Sequence, residues 1–170
     1  MRRLQTYGQM EIFDNGPNTT SDPTVETVTR YRIALVKEED TPYGDVSLTS
    51  PGDVAEFLNG LLADRPQEHM IAIYLDTRNR LIGWTIAHIG TINRAAVEPR
   101  TIFQIALTLN AAGLILSHNH PSGDPSPSAE DLGFTRRMAQ AGDLIGIRLL
   151  DHLILGHNGA WTSLRQLGGW

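Results

Sequence analysis

The chain contains no cysteine among its 170 residues. This absence excludes disulfide bridges, thiolate metal ligands and a cysteine nucleophile, and it fits a reducing compartment such as the cytoplasm. Long apolar runs are absent too, and no segment approaches the roughly eighteen apolar residues of a membrane-spanning helix. The basic start, Met1-Arg2-Arg3, is not followed by the apolar run of a secretory signal. We therefore expect a soluble, cytoplasmic protein that does not engage a membrane.

Positive charge is also scarce. The chain carries 14 lysine and arginine residues against 19 aspartate and glutamate residues, which gives a formal net charge of −5 and a pI of about 5.6. A protein held on nucleic acid through phosphate contacts usually has a basic excess or a basic stripe. The arginines here are scattered, without interleaved aromatic residues. Charge therefore argues mildly against a nucleic-acid partner, although a local basic patch is not excluded.

The composition predicts one folded domain preceded by a polar segment. The apolar share of 41% over 170 residues is sufficient for one hydrophobic core and small for two. Residues 1–30 are rich in Thr, Ser, Asp, Asn and Pro, and we interpret them as a flexible polar N-terminal arm. Residues 31–170 are the predicted domain, in which 31–36 is a short strand and 41–44 a turn.

The first half of the domain shows a helix followed by two strands. Ser50 suits the N-cap, Pro51 suits the first helical position, and apolar residues then recur at helical spacing until Pro66. Residues 70–75 and 81–89 are apolar runs separated by turn-forming residues. The two runs therefore form a predicted hairpin.

The second half alternates helices and strands. A helix begins at Pro99, and a short buried strand over 114–116 follows it. Another helix runs over 128–141 with Gly142 as its stop signal, and residues 145–155 form one or two strands broken near residue 151. This order is typical of an α/β domain built on a mixed sheet.

The most informative stretch lies directly after the 114–116 strand. His118 and His120 are two residues apart, so in an extended segment both side chains project from the same face. Asp131 follows in the first turn of the next helix, where the helix dipole favours a carboxylate. Two imidazoles and one carboxylate are a ligand set of catalytic zinc ions, whose fourth position is left to water. The pattern indicates a metal-dependent hydrolase.

Each part of this pattern also has a structural interpretation. Two histidines on one strand are often ordinary hydrogen-bonded residues, and this alternative stays open for the pair by itself. Ser128 and Asp131 have the spacing of a capping box, with Asp in place of the usual Glu. Beside the histidines we favour a metal ligand for Asp131, while Ser128 can both cap the helix and face the metal.

The full run His-x-His-Pro-x(6)-Ser-x-x-Asp resembles the metal-binding motif of the JAMM (MPN-type, or JAB) zinc hydrolases, without a gap in the spacing. The wider block from Ser117 to Asp131 is similar to the RadC-like branch of that family. Supporting matches lie at 75–77, 89–91, 110–112 and 150–152, and the resemblance covers roughly residues 48–167. It implies a single JAMM/MPN-type, cytidine-deaminase-like domain with a mixed curved sheet flanked by helices. It also implies Zn²⁺ bound by His118, His120 and Asp131.

The resemblance further implies roles for residues around the metal. Glu68, just before the 70–75 strand, matches the position of the general base that activates the metal's water. Ser128 matches the residue that helps to stabilise the oxyanion. Ser117, Asn119 and Asp124 are candidates to support and tune the ligands. The expected activity is that of a metallopeptidase or isopeptidase acting on a carbonyl of a peptide or protein substrate.

Two other functions stay open at this point. The RadC-like label suggests a DNA-processing or DNA-repair-associated protein, either a nuclease or an accessory factor. Longer RadC-like proteins carry an N-terminal helix-hairpin-helix region, which residues 1–30 do not resemble, so we expect a short form without that module. The third function is a non-catalytic scaffold, but scaffolds of this kind have usually lost the ligands that are present here.

Overall fold

The computed structural model describes residues 2–7, 10–14, 48–62, 65–90 and 97–170. Its strands are β1 (Arg2–Tyr7), β2 (Met10–Asp14), β3 (His69–Leu75), β4 (Leu81–Ile89), β5 (Gly113–Asn119), β6 (Arg148–Leu155) and β7 (Trp161–Ser163). Its α-helices are α1 (Pro51–Leu62), α2 (Pro99–Thr108) and α3 (Ala129–Ile145), and a short 3-10 helix spans His157–Gly159. Within these residues, no helix combines the length and apolar character needed to cross a bilayer.

The chain divides into two compact units, Met1–Pro42 and Tyr43–Trp170. In the first unit, β1 and β2 pair as an antiparallel hairpin, in a segment for which the sequence predicts no strand. The strand predicted over 31–36 and the turn predicted over 41–44 lie outside the described residues. The division of the chain at residue 30 stays a prediction.

The second unit is built on a five-stranded mixed sheet in the order β4-β3-β5-β6-β7. Strands β5 and β6 are parallel, and the other neighbouring pairs are antiparallel. Apolar residues of one sheet face pack with α1, and those of the other face pack with α2 and α3. The unit is therefore a single α/β domain with a mixed sheet flanked by helices, which confirms the predicted fold class.

Local sequence signals explain where the elements begin. Ser50 and Asp53 cap α1 reciprocally: Ser50 Oγ accepts from the Asp53 N–H at 3.2 Å, and Asp53 Oδ2 accepts from the Ser50 N–H at 2.9 Å. Pro99 occupies the first turn of α2, as predicted. Asp76 accepts backbone N–H groups across the β3–β4 turn, which stabilises the predicted hairpin.

Helix α3 extends beyond its predicted end. Gly142 lies inside the helix and is buried, and the left-handed C-cap is Gly146, with φ of 85°. A side chain at Gly142 would collide with the backbone carbonyl of Ile147 and crowd the Phe103 ring. The prediction of a stop at Gly142 was wrong because this glycine serves a close approach of backbone, while the second glycine provides the left-handed conformation.

Strand β6 is continuous, so the predicted break near residue 151 was wrong. The pairing with β5 instead shifts by one residue: Leu114 lies opposite Leu149, and Ile115 lies opposite Asp151, which leaves Leu150 as a bulge. The Asp151 carboxylate is buried and accepts from the His152 N–H and the Ser163 hydroxyl at 2.7 Å each. The polar residue Asp151 suggested a break, but its carboxylate forms its hydrogen bonds inside the sheet.

The bulge changes which way β6 points its side chains. Leu149, before the bulge, packs in the core beneath α2 and α3, and Leu150 packs on the α1 side. His152, after the bulge, contacts Thr135 of α3. Regular alternation would place residues 149 and 152 on opposite faces. The one-residue bulge therefore turns His152 towards α3.

Candidate metal centre

The two histidines of the motif converge at the carboxyl end of β5. His118 is the sixth residue of the strand and is fully buried, and His120 follows the strand with its backbone N–H bound to the Leu155 carbonyl at 2.8 Å. Their Nε2 atoms lie 3.0 Å apart. The alternation of an extended chain thus brings both rings to one place, as the spacing predicts.

The proline-containing loop fixes the ring of His120. Its Nδ1 lies 2.7 Å from the backbone carbonyl of Asp124. A carbonyl oxygen can only accept, so Nδ1 carries the proton and donates it, and Nε2 faces His118. Asp124 thus supports the site through its main chain, while its carboxylate accepts from the Ser126 N–H at 2.9 Å.

Asp131 caps α3 and also lies next to the two histidines. Its Oδ2 accepts from the Ser128 N–H at 2.8 Å, and Ser128 Oγ accepts from the Asp131 N–H at 3.1 Å, which completes a capping box. Its Oδ1 lies 3.2 Å from His118 Nε2, and its Oδ2 lies 3.6 Å from His120 Nε2. One carboxylate therefore caps α3 and faces both histidines.

The neighbours of the Asp131 carboxyl lower its pKa. Burial by itself raises the pKa of the Asp131 carboxyl, but the neighbouring His118 and His120 rings, together with the hydrogen bond from Ser128, outweigh burial and hold the pKa far below its usual value. The contact with the Asp131 carboxylate is the main cause that raises the pKa of His120. Asp131 is therefore held as a carboxylate beside the two imidazoles.

Ser128 lies at the site, and its hydroxyl already forms a hydrogen bond there. Its O–H donates to Asp131 Oδ2 at 2.6 Å. A hydroxyl has a single proton, so this bond and a bond to an oxyanion exclude each other in one orientation. The capping function of Ser128 is present in the structure, and its role towards an oxyanion stays a prediction.

Glu68 lies at the edge of the same cluster. Its Oε1 is 3.9 Å from His118 Nε2, and its side chain is mostly buried, with 16% exposed. The ligand atoms of Glu68, His118 and His120 all lie within 4.8 Å of one another. The general base implied by the resemblance is thus brought next to the histidines, farther from them than Asp131.

Asn119 holds the segment that carries Glu68. Its Oδ1 accepts from the His69 N–H at 2.8 Å, and its Nδ2 donates to the carbonyls of Arg65 and Gln67 at 3.3 and 3.1 Å. The Glu68 carbonyl itself accepts from the Gly90 N–H at 2.8 Å. Asn119 contacts neither imidazole by these bonds. It fixes the backbone on both sides of Glu68.

Ser117 does not face the cluster. It alternates with His118 along β5, so it points to the opposite face of the sheet, between Ile71 and Leu153 of the neighbouring strands. It is fully buried, and among the described residues its hydroxyl has no hydrogen-bond partner. The structure does not bring Ser117 together with the other predicted site residues.

The donor set fits a divalent metal ion. The Nε2 atoms of both histidines lie 3.2 and 3.6 Å from the Asp131 carboxylate, and the ligand atoms of Glu68, His118 and His120 lie within 4.8 Å of one another. Nitrogen ligands and carboxylate oxygens are what zinc binds in catalytic sites, and two tetrahedral ligands at about 2.0–2.1 Å lie about 3.3 Å apart. The separation of 3.0 Å between the Nε2 atoms is close to that spacing. A Glu68, His118 and His120 cluster, with Asp131 beside it, could therefore bind a metal.

Two residues beyond the motif complete the site's surroundings. His118 Nδ1 lies 2.9 Å from His152 Nε2, and His152 Nδ1 lies 2.6 Å from the Thr135 hydroxyl. Burial is the main cause that lowers the pKa of His152 well below its ordinary value. The sequence match at 150–152 includes His152 and leaves it as either a supporting or a surface residue, whereas Thr135 has no signal besides its position one turn after Asp131.

A cleft opens beside His120. Its volume is about 300 Å³, and its walls come from the end of α1, the loop after β5 and the segment after β6. Its lining includes Asn59, Leu62, Arg65, Asn119, His120 and His157. His120 therefore belongs both to the wall of the cleft and to the cluster.

Comparison with known proteins agrees with this arrangement. Residues 48–169 match the family described as RadC-like JAB domain. The chain belongs to this family. The matched range contains every element from α1 to β7 and all residues of the candidate metal centre.

Several curated proteins are similar to this RadC-like JAB domain. A UPF0758 protein of Shouchella clausii is 46% identical over 121 residues, which cover 71% of this chain and 52% of that protein. A UPF0758 protein of Clostridium kluyveri is 47% identical over 124 residues, covering 73% and 54%. A UPF0758 protein of Listeria monocytogenes is 41% identical over 137 residues, covering 81% and 59%. The chain thus spans about half the length of the curated relatives it matches.

Proposed function

We propose that this RadC-like JAB domain is a zinc-dependent hydrolase that cleaves a peptide or isopeptide bond. The observation that carries the proposal is the convergence of two histidine Nε2 atoms, 3.0 Å apart, on the carboxylate of Asp131. Such a set of two imidazoles and a carboxylate is typical of catalytic zinc sites with an open position. JAB domains are often hydrolytic, and membership of the family supports the same conclusion.

The residues divide into those that hold the metal and one that moves a proton. His118, His120 and Asp131 are the proposed ligands, because the Asp131 oxygens lie closer to the histidine nitrogens than Glu68 does. Zinc, when bound, supplies an acidified water and a Lewis acid for a carbonyl oxygen. Both histidines meet the requirement for ligands, since each has an Nδ1 partner outside the cluster and an Nε2 atom inside it.

Glu68 is the proposed general base. Its carboxylate lies at the edge of the cluster, within reach of a water placed between it and the histidines. It accepts a proton from the attacking water and returns that proton to the nitrogen of the leaving amine when the C–N bond breaks. Asn119 keeps Glu68 in place by fixing the backbone on both sides. The cleft beside His120 is the proposed binding place for the peptide chain.

The first test is the metal content of the purified protein. We expect about one zinc per chain after reconstitution. Glu68→Gln should retain the metal and lose hydrolysis, because an amide still fits the space but cannot accept the proton. Glu130→Gln is the matched control, since Glu130 is an exposed carboxylate in the first turn of α3, and it should change neither property.

The activity screen compares three classes of bond with wild type and Glu68→Gln: linear peptides, isopeptide-linked peptides and phosphodiesters. Cleavage of an amide bond that depends on Glu68 supports the proposal. Cleavage of phosphodiesters alone would favour the DNA-processing alternative. Zinc far below one per chain would overturn the proposal, and loss of zinc in Glu68→Gln would make Glu68 a ligand instead of the base.

A further inference from the structure

A buried chain of hydrogen bonds connects the metal centre to α3. It runs from His118 Nδ1 to His152 Nε2 at 2.9 Å, and from His152 Nδ1 to the Thr135 hydroxyl at 2.6 Å. The same hydroxyl lies 2.6 Å from the backbone carbonyl of Asp131. His118, His152 and Thr135 are each fully buried. The chain thus begins at one proposed ligand and ends on the main chain of another.

The Asp131 carbonyl, at the end of this chain, determines which atom donates in each of its hydrogen bonds. The Asp131 carbonyl can only accept, so the single proton of the Thr135 hydroxyl points to it. The Thr135 oxygen must then accept from His152 Nδ1, and full burial of the His152 ring disfavours a second proton on it. His152 Nε2 is left as an acceptor, so His118 Nδ1 donates to it.

The consequence concerns the atom of His118 that faces the metal centre. With a proton fixed on Nδ1, Nε2 is the nitrogen that offers a lone pair, and it is the one next to His120 and Asp131. We propose that Thr135 and His152 are positioning residues that hold His118 in its Nδ1–H tautomer. This inference rests on the proposed metal site. It adds that His118 already has the tautomer needed for metal binding in the metal-free protein.

The fold provides this arrangement through two features. The bulge at Leu150 turns His152 towards α3, as the shift in pairing with β5 shows. Thr135 lies one helical turn after Asp131, so its hydroxyl reaches the carbonyl of that residue. The Phe134 ring contacts His152 edge-on, with 6.3 Å between the ring centroids, and helps to fix its orientation. Strand β6 and helix α3 together thus determine which nitrogen of His118, in β5, carries the proton.

The direct test is the position of the ring protons in the metal-free full chain. Long-range ¹⁵N–¹H correlation spectra distinguish Nδ1–H from Nε2–H tautomers of histidine. We expect His118 and His152 of the wild type to carry a proton on Nδ1. A spectrum in which His118 Nδ1 lacks a proton would overturn the inference, whatever the metal affinity.

The second test removes the acceptor at the end of the chain. Thr135→Val keeps nearly the same shape, but it gives the His152 Nδ1 proton no partner, so His152 changes tautomer and donates from Nε2. His118 then moves its proton to Nε2, the atom needed for the metal. We expect zinc affinity, measured by competition with a chromophoric chelator, to fall roughly 10- to 100-fold.

Two variants separate this effect from packing. Thr135→Ser restores the hydroxyl and should recover both the Nδ1–H tautomer of His118 and the wild-type zinc affinity. Thr108→Val removes the same kind of bond, from Thr108 Oγ1 to the Gln104 carbonyl at 2.7 Å, on the exposed side of α2, and it should change neither. A weakened Thr135→Val that Thr135→Ser fails to rescue would assign Thr135 to packing alone and overturn the inference.

The outcomes distinguish this inference from the proposed function. If the wild type binds no zinc, the proposed function fails, while the tautomers of the metal-free protein still report on the hydrogen-bond chain. If the wild type binds zinc and Thr135→Val binds it equally well with an unchanged His118 tautomer, the metal site stands and the positioning role falls.

Discussion

The two faces of the sheet differ most at β5, where successive residues perform different tasks. On the α3 side, His118 meets His120, Asp131 and His152, so ionisable groups are concentrated within a buried region. On the α1 side, the Asn119 side chain hydrogen-bonds to backbone groups of residues 65, 67 and 69. The comparison teaches that one strand can present a candidate ligand on one face and support the segment of the candidate base, Glu68, from the other.

This division has a physical reason. A strand alternates its side chains, so ligands at i and i+2 leave the residue between them on the opposite face. There Asn119 can reach the chain that leads into β3, because β3 and β5 are neighbours in the sheet. The ligand face and the supporting face should therefore respond differently to mutation.

The largest effect is expected on the ligand face. His120→Ala removes an Nε2 atom from the cluster, and we expect zinc affinity to fall by more than about a hundredfold, beyond the usual loss of a supporting contact. His88→Ala, in the edge strand β4, is the control and should bind zinc as the wild type does. Equal affinity of His120→Ala and wild type in a chelator competition would remove His120 from the site.

The supporting face should lose stability before it loses metal. Asn119→Ala leaves the His69 N–H without its buried partner and removes one of the two partners of the Gln67 carbonyl, which should cost about 1–3 kcal/mol of unfolding free energy in urea titrations. Zinc affinity should stay near that of the wild type. Ser117→Ala, on the same face, removes an unpaired hydroxyl and should be neutral or stabilising by about 1 kcal/mol. If Asn119→Ala lost zinc as His120→Ala does, the two faces would not be separate.

The helices that cover the two faces carry glycines in different surroundings. Gly142 of α3 lies against the Ile147 carbonyl, so Gly142→Ala should destabilise the domain by about 1–3 kcal/mol through overpacking. Gly60 of α1 has nothing within 4 Å of the position of a side chain, so Gly60→Ala should stabilise it by about 0.5–1 kcal/mol. Thermal unfolding of both variants checks the opposite signs, and the same sign in both would contradict the difference in packing.

A further effect is a dependence on pH from the core beneath α2 and α3. Burial raises the pKa of Tyr74 to about 12 from 10.0, although its hydroxyl bonds Thr85 at 3.0 Å. Because the unfolded state deprotonates first, the stabilising effect of the neutral phenol is complete below pH 10 and is lost as pH rises towards 12. Relative to Tyr74→Phe, the wild type should lose about 1.4 kcal/mol by pH 11. Parallel curves for the two proteins would show that Tyr74 does not titrate differently on folding.

Much of the fold could be predicted because its signals are local. Ser50 and Pro51 begin α1, Pro99 begins α2, and the apolar runs around residues 76–80 form the β3–β4 hairpin, all as the sequence indicates. The end of α3 was predicted too early because Gly142 and Gly146 are both plausible stops, and only packing against Phe103 and Ile147 distinguishes them.

The candidate site was predicted in part for the same reason. Spacing predicted that His118, His120 and Asp131 lie together. In the structure, the Nε2 atoms and the carboxylate oxygens of these residues approach within 3.0–3.6 Å of one another. Spacing could not show that Asp124 acts through its carbonyl, because side-chain identity says nothing of main-chain contacts. Nor could it connect Asn119 to His69, fifty residues apart in sequence.

By itself, the sequence determined the order from α1 to β6, the candidate ligand residues and the absence of any thiol chemistry, because these depend on residue type and on spacing along a strand or helix. The tertiary structure alone decided which ring nitrogens of His118 and His152 carry a proton. The bulge at Leu150 turns His152 towards Thr135, and that contact fixes the ring of His118 from the far side. Hydrogen bonds between distant segments depend on distances that no local pattern encodes, since they exist only once the sheet and its helices have packed.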